Sequence, residues 1–167
     1  YGFPVWAVSV AAFVDGEPTV GVVHAPALAA VWRGVAGDFA HANGVPIQAS
    51  QCQDLAMALV ATGFGYEAAV RSEQGAVVAG LLPQVRDIRR AGAAAVDMCW
   101  VAQGVVDAYF ERGTHLWDRA AAMVICAEAG ARVGGISDDL ATDAMTVAAA
   151  PGVYGPLRDL LGELGVT

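Results

Sequence analysis

A chain of 167 residues is one domain's worth, and 56% hydrophobic against 16% charged residues exclude intrinsic disorder. With 9 basic and 17 acidic side chains the formal net charge is −8, which leaves no basic field for a nucleic-acid partner. A membrane span is not expected either: the longest charge-free stretch, between Glu17 and Arg33, is broken by Pro18, Thr19, His24 and Pro26, well short of roughly 18 consecutive apolar residues.

The chain opens at Tyr1, without an initiator Met, and runs at once into an apolar segment from Val5 to Val14 that reads as a buried strand. Asp15-Gly16 is a hairpin signal, and Thr19 to His24 reads as its antiparallel partner. Ala30 to Val35 is a third strand, followed by turns at Gly37, Asn43-Gly44 and Pro46 around a short piece ending at Ser50. Ala56 to Thr62 reads as another strand, closed by Gly63 and Gly65. Val77, Leu81, Leu82 and Val85 have helical spacing, which predicts a helix from Ser72, as cap, to Val85. Ala93 to Gln103 is Ala-rich and helical, with Gly104 as its stop. A strand from Val105 to Phe110 and a helix from Trp117 to Ala129 follow, the latter with Asp118 in its first turn. A short strand at Ala131 to Val133, a polar loop with Asp138, Asp139 and Asp143, a strand at Thr146 to Ala149 and a helix from Pro151 or Pro156 to Leu164 complete the chain. Strands followed by alternating helix and strand predict an α/β layered domain with both sheet faces covered.

Cys52, Cys99 and Cys126 are odd in number and set among apolar residues, so they read as buried small hydrophobes in a reducing, cytoplasmic compartment. No CxxC supports zinc, and no charged segment precedes an apolar stretch as in a signal peptide. Ser9 lacks a G-x-S-x-G frame, and the glycines at Gly63, Gly65, Gly134 and Gly135 form neither GxGxxG nor a Walker loop. His24 and His41 have no ligand-spaced partner and read as structural.

Chemistry concentrates between Tyr109 and Asp118. Glu111 ends a strand, and after a short loop Asp118 opens a helix, at the edge where α/β proteins collect anionic ligands and metals. For any single Asp a helix cap is the commoner role. His115, three residues earlier, lies on the loop and reads as a surface or structural histidine. At Gly92-Ala93-Ala94 the small side chains leave a helix N-terminus open to a polar ligand, although tight helix packing is the commoner reason for such residues.

These residues carry a resemblance. Trp117-Asp118-x-Ala120-Ala121, continuing to Glu128-Ala129-Gly130, resembles the C-terminal signature of the inositol monophosphatase family of magnesium-dependent, lithium-sensitive phosphatases, in a bacterial, actinobacterial style. Gly2-Phe3-Pro4, Gly21-Val22-Val23 with Pro26, Asn43-Gly44-x-Pro46-Ile47, Arg90-x-Gly92 and Asp107-Ala108-Tyr109-Phe110-Glu111 extend it, in order, over nearly the whole chain. The resemblance implies a layered α/β sandwich of the sugar-phosphatase type, a homodimer, and hydrolysis of inositol monophosphate or a similar small polyol phosphate by metal-activated water. It implies that Asp118 ligates Mg2+, that Glu111 binds substrate hydroxyls, and that Gly92, Ala93 and Ala94 contact the sugar ring. Two departures stand out. The family's Glu-Glu pair and Asp-Pro-Ile-Asp-Gly-Thr segment, which carry its other metal ligands, occur nowhere in the chain, so the chain reads as a C-terminal portion of the fold, residues 1–167 forming one domain. Ala93 stands where many relatives have Ser or Thr. A catalytically silent fragment or dimerising module is therefore an open alternative, as are relatives acting on histidinol phosphate, fructose 1,6-bisphosphate or adenosine 3',5'-bisphosphate. Neither a nucleic acid nor a membrane is an expected partner.

Overall fold

The computed structural model describes residues 1–137 and 140–166. The first five strands, β1 (Val8–Val14), β2 (Glu17–Ala25), β3 (Ala30–Val35), β4 (His41–Ala42) and β5 (Val45–Pro46), form an antiparallel sheet in chain order. Its hairpins are set by residues that tolerate left-handed backbone: Asp15 and Gly16 have φ of 52° and 88°, Asn43 and Gly44 of 48° and 80°. The second sheet holds β6 (Leu59–Thr62), β7 (Asp87–Arg89), β8 (Ala108–Glu111), β9 (Arg132–Gly134) and β10 (Thr146–Ala149) in the order β7-β6-β8-β10-β9. In it β6 runs parallel to both β7 and β8, whereas β10 is antiparallel to β8 and β9.

Four helices separate and cover these sheets: α1 (Ala68–Leu81), α2 (Ala94–Ala102), α3 (Leu116–Glu128) and α4 (Pro151–Glu163). The layers run sheet, helices α2 and α3, sheet, helices α1 and α4, so the chain is an α/β sandwich with two apolar cores. One core joins Trp32, Met98, Tyr109, Ile125 and Cys126 between the sheets; the other joins Val60, Leu81, Phe110, Tyr154 and Leu161 beneath α1 and α4. Glycine sets the spacing of the first core. A Cβ at Gly21 would lie 2.1 Å from the Ala121 carbonyl oxygen, and one at Gly34 would lie 3.0 Å from the Ile125 Cα, so α3 rests directly on the backbone of β2 and β3.

Several expectations are corrected. Residues 56–58 are not strand, because the Asp54 carboxylate accepts a hydrogen bond from the Ala56 amide and tightens Leu55–Met57 into a 3-10 turn. Helix α1 begins four residues before Ser72, which is exposed and caps nothing; Arg71 instead reaches back to the carbonyl oxygens of Gly65 and Tyr66. The helix ends at Leu81, where Pro83 leaves only a 3-10 turn, and β7 follows unforeseen. Val105 to Asp107 belong to a turn, in which the Asp107 carboxylate accepts from the Ser50 hydroxyl at 2.6 Å and the Leu59 amide at 2.7 Å. Cys99 and Cys126 are buried thiols, but Cys52 is only partly covered. Asp138 and Asp139 of the expected polar loop lie outside the described residues.

The largest correction concerns the first sheet. Only one face is covered, by α3; the other exposes Val8, Val10, Val31 and Val35, with His24 beside them. Among the described residues no helix is long and apolar enough to cross a membrane.

Candidate active site

Parallel pairing brings the functional candidates together. Because β7, β6 and β8 run the same way, their carboxyl ends fall on one edge of the sheet, and the chain leaving each end leads into a helix. β6 ends at Thr62, just before Gly63, β7 leads to Gly92 and the start of α2, and β8 ends at Glu111 and leads to Asp118 and α3. This is the edge at which α/β sheets bind ligands, with helix N-termini supplying unpaired amides. Gly92, Ala93, Ala94, Glu111 and Asp118, read from the sequence as candidates, all lie along it. Gly92 is exposed with φ of 87°, and the Arg90 guanidinium lies 2.7 Å from where a Cβ at this position would be.

Glu111 is held on the buried side of this edge. The Tyr109 hydroxyl donates to Glu111 Oε2 at 2.8 Å, and Tyr109 itself is fully buried. Burial pushes the Glu111 carboxyl above its ordinary value, and Asp118 adds to this; the Tyr109 hydrogen bond and the Arg90 charge oppose it. Asp97, in the first turn of α2, is also buried, and among the described residues neither carboxylate oxygen has a hydrogen-bond partner of good geometry. Burial above all, and then the Glu111 charge, push Asp97 up to about 7, against the weaker pull of the Ala93 and Gly92 amides and the Arg90 charge.

Asp118 has the local role that its position predicts. Its Oδ2 accepts from the His115 amide at 2.9 Å, closing the first turn of α3. His115 is the N-cap residue, and its Nδ1 lies 2.7 Å from Asp143 Oδ2. Buried Arg119 donates to Asp143 Oδ1 at 2.8 Å and to the Thr114 carbonyl, tying the loop before β10 to the start of α3. Arg119 and His115 hold the exposed Asp143 carboxyl below its ordinary value.

A cleft of about 360 Å³ adjoins Glu111 on the side of α1, lined by Gly63, Phe64, Glu73, Val77, Phe110 and Met145 among others. Gly92 to Ala94 and Asp118 are not in the lining of this cleft. Sequence reasoning passed over Asp97, although it is the only charged residue between Ala93 and Gln103, and a lone acid in so apolar a helix is a usable signal.

Asp97 has a consequence for stability. The folded chain holds its proton up to about pH 7, whereas a carboxyl with the ordinary value of 3.8 has lost it long before. The folded state therefore binds more protons across that window, and the stability is full below 3.8 and is lost as pH rises through about 7. Asp97→Asn removes that loss. In urea unfolding the variant is expected to be more stable than the unaltered chain by about 2–4 kcal/mol at pH 8 and within about 0.5 kcal/mol of it at pH 4. A difference that does not change with pH would contradict the burial of an unpaired carboxyl.

Comparison with known proteins gives consistent results. Residues 1–162 match the Inositol monophosphatase family. An "Inositol-1-monophosphatase" of Mycobacterium leprae is 43% identical over 159 residues, which cover 92% of this chain and 55% of that protein. A "Nus factor SuhB" of Pasteurella multocida is 38% identical over 98% of this chain and 61% of its own length. Among solved structures, Mycobacterium tuberculosis SuhB superposes with a TM-score of 0.90 at 40% identity, over 99% of this chain and 67% of that one. A Thermotoga maritima IMPase also reaches a TM-score of 0.90, at 28% identity over 98% of this chain and 63% of that one. The chain thus spans about half the length of the curated mycobacterial relative it matches.

Proposed function

The chain belongs to the inositol monophosphatase family, and from that premise we propose that it forms the substrate-facing part of a magnesium-dependent phosphomonoesterase acting on inositol monophosphate or a similar small polyol phosphate. The observation that carries the reading is the shared edge: three parallel strands end together, with a hydroxyl acceptor at Glu111 and the small residues at the start of α2 on the same edge. A polyol presents several hydroxyl groups on a compact ring. An ionised carboxylate accepts their hydrogens, and small residues let the ring approach the main chain. In this reading Glu111 orients the ring, and Gly92, Ala93 and Ala94 line its approach. The hydroxyl acceptor at Glu111 favours a polyol ester, and a phosphate-release panel separates inositol phosphate from histidinol phosphate, fructose 1,6-bisphosphate and adenosine 3',5'-bisphosphate.

Asp118 offers one hard oxygen ligand of the type magnesium takes. Among the described residues no group of three or more His, Cys, Asp or Glu side chains is placed to hold a metal ion. The described residues do not by themselves complete a metal centre. Asp118 is proposed as a single ligand within the larger relatives' type of site, where a metal would stabilise charge on the transferring phosphoryl group. The same observation supports the competing reading of a catalytically silent or dimerising module. The uncovered valine face of the first sheet supports treating residues 1–167 as the C-terminal portion of a longer sandwich. Phosphate release from inositol 1-phosphate by the full-length protein with magnesium separates the two readings: turnover is expected, and none would leave the silent module.

A further inference from the structure

We propose that Tyr109 and Gly63 are positioning residues that seat the Glu111 carboxylate, and that selectivity for polyol esters over phosphate esters lacking hydroxyl groups depends on this seat. The inference rests on the polyol phosphatase reading of the site.

Residues 109 and 111 project from the same face of β8, since side chains alternate along a strand. Tyr109 is fully buried, and a buried phenol needs a partner for its O–H; its hydroxyl donates to Glu111 Oε2 at 2.8 Å. Burial holds the phenol far above its ordinary value, so it remains a donor. From the next strand, Thr62 of β6 stands in register with Phe110, which places Gly63 beside Glu111. The space that a Cβ at Gly63 would fill is taken by the carboxylate: such an atom would lie 2.1 Å from both Cδ and Oε2. Real Cβ atoms do not approach so closely, so any side chain at position 63 displaces the carboxylate. The Tyr109 hydroxyl and the Gly63 slot together fix which way one Glu111 oxygen faces and leave the other for a substrate hydroxyl. This gives Gly63 a role beyond closing the strand before it.

The test compares inositol 1-phosphate with p-nitrophenyl phosphate, which has no hydroxyl for Glu111 to accept. In the full-length protein with magnesium, Tyr109→Phe keeps the buried ring and removes only the donor. It is expected to raise KM for inositol 1-phosphate about tenfold, with kcat and both constants for p-nitrophenyl phosphate changed less than twofold. Gly63→Ala is expected to show the same selective rise. Equal effects on the two esters, or none, would overturn the inference. A crystal structure of either variant gives a readout free of activity: a displaced Glu111 carboxylate supports the seat, and an unmoved one overturns it whether or not either ester is hydrolysed. Failure of the unaltered protein to hydrolyse inositol 1-phosphate would, separately, count against the polyol reading.

Discussion

Replacing Asp118 with Asn in the full-length protein is expected to lower magnesium-dependent phosphate release from inositol 1-phosphate by at least ~100-fold, about 2.7 kcal/mol of transition-state stabilisation. The fold should hardly register the change. Asp118 Oδ2 accepts from the His115 amide at 2.9 Å, and the Asn side chain keeps an oxygen that can do the same, so the first turn of α3 remains closed. What Asn lacks is the charge that a hard cation requires. Urea unfolding of the two proteins should therefore agree within about 0.5 kcal/mol, whereas Asp118→Ala, which loses the acceptor as well, should cost about 1 kcal/mol. Normal turnover in the Asn variant would remove Asp118 from the site and leave it as a helix cap.

The second large effect is on stability and comes from a residue with no side chain. Gly21→Ala would place a Cβ 2.1 Å from the Ala121 carbonyl oxygen, a backbone atom that no rotamer change can move aside. Helix α3 must lift from β2, opening the core that holds Val23, Trp32 and Ile125. We expect a loss of about 3 kcal/mol or more in urea unfolding, at the upper end of overpacking effects. Gly34→Ala, with its nearest approach at 3.0 Å to the Ile125 Cα, should cost less. A loss below about 1 kcal/mol at Gly21 would mean that α3 shifts on the sheet without resistance.

The legible parts of the chain are those whose signals are local. β3 and β10 have the expected bounds because each is a short apolar run between turn residues, and α2 and α3 start and stop within one residue of the expected bounds, close to the Gly and Asp signals that frame them. Ser72 misled because a capping residue is recognisable only if the helix begins there; Arg71 extends the ordered turn backward by binding carbonyls that no periodicity reveals. Residues 56–58 failed for a similar reason, a single Asp54 hydrogen bond overriding an apolar run. The uncovered face of the first sheet was not legible, since a strand that is apolar on both faces reads the same whether or not something covers it.

At the site the same division holds. Glu111, Gly92 and Asp118 mark the ends of elements and could be found by position. Tyr109 and Gly63 acquire their relation to Glu111 only when β6 and β8 pair in parallel, and that register joins segments far apart in the chain. Asp97 was visible as a lone acid in an apolar helix, but its missing partners are a fact of packing.

The most direct test of a polyol phosphatase is phosphate release by the full-length protein with magnesium, measured side by side on inositol 1-phosphate, histidinol phosphate, fructose 1,6-bisphosphate and adenosine 3',5'-bisphosphate. The highest kcat/KM is expected on inositol 1-phosphate, with turnover lost when magnesium is chelated. Release from none of the four, or turnover unaffected by chelation, would contradict it.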